Sequence, residues 1–138
     1  MTNTVNNDKI SLNRKEGNVG AFSELQEKMS RKTVRNIAKE FNVKTKGLTI
    51  SVDKNEELLR LPFAGSANAN KIGEITFFPN AFKDKETLVR TLFHERIHVE
   101  QYKEYGAEFV SANAARFERE AYEAEEQFII ELKKKGEL

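Results

Sequence analysis

His94, Glu95 and His98 form the pattern His-Glu-x-x-His within Leu92-Phe93-His94-Glu95-Arg96-Ile97-His98. Two imidazoles four residues apart on a helix project from one side, one turn apart, so both reach a single ion at about 2.0 Å. Glu95, rotated about 100° from His94, stays outside the ion's coordination shell but can touch a water beside it. That set suits metal-assisted hydrolysis: an ion lowers the pKa of a water toward about 7, and the carboxylate takes its proton and returns it to the leaving group. The chain holds only two His, and both lie in this pattern, which argues against a chance coincidence in a Glu-rich surface helix. With no Cys in the chain, a transition metal must be held by imidazole and carboxylate, a donor set suited to Zn2+.

A catalytic zinc wants a third protein ligand and an open fourth position. No His remains for it, and Asp8, Asp53 and Asp84 all precede the motif, so a ligand from a later helix must be a Glu. Taking Ala114, Phe117, Ala121, Ala124 and Phe128 as the buried stripe of that helix, Glu118 lies about 60° off its centre, Glu125 about 40°, Glu120 about 100° and Glu123 about 160°. Periodicity keeps Glu118 and Glu125. Gln101, on the same helix face as both imidazoles, could bond a ligand's second nitrogen or a substrate carbonyl. Arg90, one turn before His94, needs a carboxylate or substrate as partner if it is to stand near a cation. Tyr102, Tyr105, Tyr122 and Arg116 are the candidates for stabilising an oxyanion. Arg96 and Glu100 read as solvated charges.

The elements that must position these groups follow from patterning. Asp84 is the N-cap of a helix running from Thr87 to about Tyr105, with Leu88, Val89, Leu92, Phe93, Ile97 and Val99 as its apolar residues. Gly106 interrupts, and a final helix is expected from about Glu108 to Leu132. Leu48-Thr49-Ile50-Ser51-Val52 alternates as a half-buried strand, and Ile72 to Phe78 reads as a second strand closed by Pro79-Asn80. The intervening Pro62 to Lys71 is small, polar and turn-forming, an exposed loop. The strand Gly73 to Phe78 is then the expected lip of the cleft, pairing with an extended peptide. Upstream, Ser23 with Gln26 reads as a capping box opening one or two helices that end near Asn42. The expected domains are a flexible N-terminal arm over 1–21, too polar to offset its ordering entropy, and one folded unit over 22–138.

Leu88 to Tyr102 (LVRTLFHERIHVEQY) resembles the active-site helix of zincin metallopeptidases, and Ile72 to Pro79 (IGEITFFP) resembles the edge strand of that fold. The likeness covers roughly residues 46 to 130. It implies an α+β zincin-like fold, a small twisted sheet packed on the motif helix and a long C-terminal helix. Glu118-Arg119-Glu120-Ala121-Tyr122 is similar to the E-x-x-A-D motif of gluzincins, which makes Glu118 the third ligand beside His94 and His98, with Glu125 as its rival and Glu95 as the catalytic base. This chain has Tyr122 where that motif has Asp. The likeness extends to minimal gluzincins and to metallopeptidase domains of bacterial polymorphic toxins and phage-associated proteins. It implies a zinc endopeptidase acting on a protein or peptide substrate, checked by an inhibitor or immunity protein, in a bacterial or phage cytoplasm or delivered within a larger secreted polypeptide. The competing readings are an inactive, zinc-stabilised binding or structural module and a metal-free helical interaction domain; an intact Glu95 speaks against the first.

Composition narrows the remaining classes. With 138 residues there is room for one core. A net charge of +1, from 23 basic against 22 acidic residues, supplies no field for nucleic acid binding. No apolar run approaches the roughly 20 residues of a bilayer span, and the first residues lack the apolar stretch of a secretory signal, so neither membrane insertion nor unaided export is expected.

Overall fold

The computed structural model describes residues 17–138, so most of the expected arm lies outside the described residues. The architecture is α+β. Helix α1 (Arg31–Glu40) is followed by strand β1 (Thr49–Val52), strand β2 (Gly65–Ala67) and strand β3 (Glu74–Phe77), then by α2 (Lys85–Tyr105), α3 (Ala107–Ala112) and α4 (Ala114–Lys134). The sheet has the order β1-β3-β2. β1 runs parallel to β3, with Ile50 opposite Ile75, and β2 runs antiparallel to it, with Gly65 opposite Phe77.

This order corrects two expectations. Pro62 to Lys71 is not all loop, because it contains β2, and Gly73 to Phe78 is not an edge, because β3 is paired on both sides. The edge beside α2 is β2. Bonds from Asn68 N to the Glu74 carbonyl (2.9 Å) and from Phe78 N to the Ala64 carbonyl (2.8 Å) set the alternation of the antiparallel ladder. Gly65 and Ala67 therefore turn their backbone groups away from β3.

The Ser23 capping box does not form. Gln26 N and Glu27 N donate to the carbonyls of Lys83 and Phe82, and the Asn18 side chain bonds Leu25, Glu27 and Met29 backbone atoms. Long-range partners thus replace the helical ones. The cap is Ser30, whose Oγ accepts from Thr33 N at 3.1 Å.

α2 is the hub of the molecule, packing on α4, α1, α3 and the strands β2 and β3. Its N-cap is Asp84, whose Oδ1 accepts from Thr87 N at 2.7 Å, as expected. Leu88, Val89 and Leu92 are fully buried with Val34, Ile75, Phe77 and Phe82, each large apolar side chain contributing about 1.5 to 3 kcal/mol by burial. Gly106 ends the helix at φ 86°, a left-handed conformation that a side chain would strain.

The expected single final helix is two. At Asn113 the backbone leaves helical geometry (φ −123°, ψ 38°), and the Asn113 Nδ2 donates to the Phe109 carbonyl at 2.9 Å, a side-chain bond that competes with the helical ladder. The stripe of α4 that faces inward is Phe117, Ala121, Glu125, Ile129 and Leu132, while Ala114 is exposed. Glu125 therefore sits on the buried centre and Glu118 at its margin.

Candidate metal centre

His94 and His98, one turn apart on α2, both aim Nε2 at the same oxygen of Glu118 on α4: the distances to Oε1 are 2.7 and 2.9 Å. Among the described residues, His94, His98 and Glu118 form a cluster whose ligand atoms all lie within 4.8 Å of one another. The resemblance favours Glu118 over Glu125, and it is Glu118 that the fold brings to the two Nε2 atoms.

The opposite nitrogens are both taken. His94 Nδ1 meets Glu125 Oε1 at 2.9 Å, and His98 Nδ1 meets Gln101 Oε1 at 2.8 Å. The Gln101 amide is fixed in orientation, since its Nε2 donates to the Phe117 carbonyl at 3.0 Å. Glu125 and Gln101 offer only acceptor atoms to the rings, so each imidazole carries its proton on Nδ1. That leaves two Nε2 lone pairs facing a carboxylate oxygen at hydrogen-bond distance. Three acceptors in that space require a cation among them, a metal ion or an added proton. The donor set and its outer partners are those of a divalent transition-metal site.

Charge is arranged around this centre in layers. Arg90 NH1 donates to Glu125 Oε2 at 2.8 Å and to Glu126 at 2.7 Å, and its Nε donates to Glu86 at 3.0 Å. The cation expected to need a carboxylate therefore has three. Burial alone would depress the pKa of His94, but the Glu125 hydrogen bond, with the charges of Glu95 and Glu118, raises it above the ordinary value. Glu125 is lowered: burial opposes this, and the bonds to His94 and Arg90 outweigh it. Glu118 is lowered in the same way by both imidazoles against burial.

Glu95 is almost wholly buried, at 9% exposure. Its pKa is raised, chiefly by that burial, against the pull of His94 and His98 and a backbone bond from Ala67 on β2. A carboxyl lifted in this way is a better proton acceptor than one in water.

Of the four oxyanion candidates, two reach the site. Tyr122 lies with its ring centre 4.5 Å from that of His94 and helps to line a cavity of about 280 Å³ with Phe63, Gly65, Arg90, Thr91 and Glu95. Tyr102, 6.5 Å from the His98 ring, lines a second hollow of about 180 Å³ together with His98 and Glu118. Tyr105 and Arg116 do not reach the centre. The Arg116 guanidinium lies over the Tyr105 and Phe117 rings at 5.6 and 4.7 Å.

Two features escaped the sequence. On sequence Glu125 reads only as a rival ligand, whereas its carboxylate meets the Nδ1 side of His94. The approach of β2 to the motif helix had a signal in the run Ala64-Gly65-Ser66-Ala67, whose small side chains permit close contact.

Nothing matches the chain among curated proteins or solved structures. Residues 9–135 match the family described as Metallopeptidase toxin 4, so that the helix carrying His94 and His98, the strand beside it and the helix carrying Glu118 all fall within the match. The chain belongs to this family of metallopeptidase toxins.

Proposed function

We propose that the chain is a zinc-dependent endopeptidase of the gluzincin type on a zincin-like fold, with His94, His98 and Glu118 as the ligands of Zn2+ and Glu95 as the general base. The observation that carries this reading is the convergence of two Nε2 atoms on one Glu118 oxygen while both Nδ1 atoms are committed to acceptors. When bound, a zinc ion supplies Lewis acidity, polarising the peptide carbonyl and acidifying a water.

The residues of the chain do the rest. Glu125 and Gln101 lock the tautomer and orientation of the two rings. Glu95 accepts the proton of the attacking water and returns it to the leaving amine, which keeps the proton balance within one side chain. Gly65 and Ala67 turn their backbone groups away from β3, and although the Ala67 N–H is engaged by Glu95, the remaining groups offer an edge on which an extended peptide pairs as an added strand. Tyr122 stands beside His94 and Tyr102 beside His98, where a phenol can donate to the developing oxyanion.

As a toxin, the protein would act on proteins of a target cell after delivery within a larger secreted polypeptide, or in a phage-associated setting, with an inhibitor or immunity protein guarding the producer. The test is cleavage of a mixed peptide library with and without chelator. Wild type should cleave and lose activity on chelation, and Glu95→Gln should keep its zinc and lose at least about a hundredfold in turnover. Equal turnover by wild type and Glu95→Gln would remove Glu95 from the reaction.

A further inference from the structure

Gly65 sits in β2 directly opposite Phe77. Its backbone is not in the left-handed region that glycine alone tolerates, so conformation does not explain why a strand position, where glycine weakens packing, lacks a side chain. Space does. A Cβ built at Gly65 would lie 2.6 Å from the Thr91 Cγ2, 3.3 Å from the Glu95 Cγ and 3.3 Å from the Thr76 carbonyl oxygen.

None of these neighbours can yield cheaply. Thr91 is buried, its β-branched side chain is stiff about χ1, and its Oγ1 is tied to the Thr87 carbonyl at 2.7 Å. The Thr76 carbonyl belongs to the central strand, in the bonded pair with Ser66 implied by the ladder. Glu95 carries the carboxylate on which the hydrolysis rests. A methyl at position 65 must therefore push the edge strand away from α2, and the shift would be felt first at Glu95 and at Ala67, two residues along the same edge. Thr91 lies one turn before Glu95, so the strand meets the helix at two points of one face.

We propose that Gly65 is a positioning residue: its bare Cα sets the distance between the substrate edge of β2 and the catalytic base on α2, with the Thr91 methyl as the opposing wall. The inference rests on the peptidase reading above and adds to it the contact that aligns a bound peptide with Glu95. A misplacement on the order of 1 Å at such a point costs up to about a hundredfold in rate.

The test uses the 138-residue, zinc-loaded chain and a fluorogenic peptide taken from the library sequences that wild type cleaves. Gly65→Ala should lower kcat by about 10- to 100-fold with a smaller change in KM, since the edge still pairs with peptide but presents it out of line. Thr91→Ser removes the opposing methyl and keeps the hydroxyl bond to Thr87. The double variant Gly65→Ala/Thr91→Ser should therefore return kcat to within about threefold of Thr91→Ser alone, the coupling expected of two groups in contact.

Amide hydrogen exchange at Ala67 reads the strand position without substrate: it should quicken in Gly65→Ala and slow again in the double variant. Wild-type kcat and unchanged Ala67 exchange in Gly65→Ala would overturn the proposal, as would an equal loss in the single and double variants. Should Gly65→Ala not fold, a folded and active double variant supports the contact, and an unfolded one overturns it. If wild type cleaves no peptide, the peptidase reading fails, while Ala67 exchange in the single and double variants still decides for or against Gly65.

Discussion

His94 and His98 offer the same atom to the same Glu118 oxygen, yet they are held from behind by opposite means. Behind His94 stands a charged chain, Glu125 and then Arg90, in the buried seam between α2 and α4. Behind His98 stands a neutral one, the Gln101 amide and then the Phe117 carbonyl. His94 is nearly buried, whereas His98 is half-buried. Orientation is supplied behind both rings, and a charge behind His94 alone. Both chains fix a ring; the ionic one also raises the proton affinity of His94, and that affinity competes with metal for the same nitrogen.

Breaking either ring should have the largest effect. His94→Ala and His98→Ala are each expected to lose tightly bound zinc, with wild type holding about one ion per chain, by elemental analysis after dialysis. Equal metal content in wild type and either variant would mean that the imidazoles are not ligands.

The next comparison separates the two supports. Glu125→Gln keeps the size and an acceptor but removes the charge, and it leaves Arg90 with fewer carboxylates. Gln101→Leu removes a neutral acceptor. Outer partners of ligating imidazoles are worth about 10- to 100-fold in metal affinity; Glu125→Gln should fall near the upper end and Gln101→Leu near the lower, measured by competition with a chromogenic chelator. The reverse order would assign the greater importance to the amide arm.

The smallest effect sharpens the electrostatics. Because the pKa of His94 is raised above its ordinary 6.5, chiefly by the Glu125 bond overcoming burial, zinc affinity should begin to fall with acidification above pH 6.5 and not below it. Glu125→Gln should move that fall toward lower pH. In the metal-free protein, the stabilisation from a protonated His94 is present at low pH and lost as pH rises through its raised value. The stabilisation from Glu118 and Glu125, whose pKa values are lowered, is present above the ordinary 4.5 and lost as pH falls through theirs. Melting temperature without metal should therefore peak between these limits and decline on the alkaline side once His94 deprotonates. A flat profile above pH 6 would count against the ionic arm.

The motif helix was legible because its signals are local: Asp84 caps it, Leu88 and Leu92 repeat at helical spacing, and both His lie in one pattern. β1 was legible by alternation. β2 was not, since Gly65-Ser66-Ala67 has neither alternation nor strand propensity and exists through its pairing with β3 and its fit against Thr91. Ser30 outcompetes Ser23 as a cap for a similar reason, because bonds to Lys83 and Phe82 draw the intervening backbone out of any helix. Glu118 and Glu125 could be narrowed to a pair by periodicity. Their roles separate only in three dimensions, where the break at Asn113 and the inward turn of Glu125 decide which oxygen meets which nitrogen.

The central claim is that His94, His98 and Glu118 together hold one ion. X-ray absorption at the zinc edge of the reconstituted chain tests it most directly. A shell with two imidazole nitrogens at about 2.0 to 2.1 Å and carboxylate and water oxygens at about 2.0 to 2.2 Å is predicted, with tight binding lost in Glu118→Ala. A shell without imidazole, or an unchanged spectrum and affinity in Glu118→Ala, would contradict it.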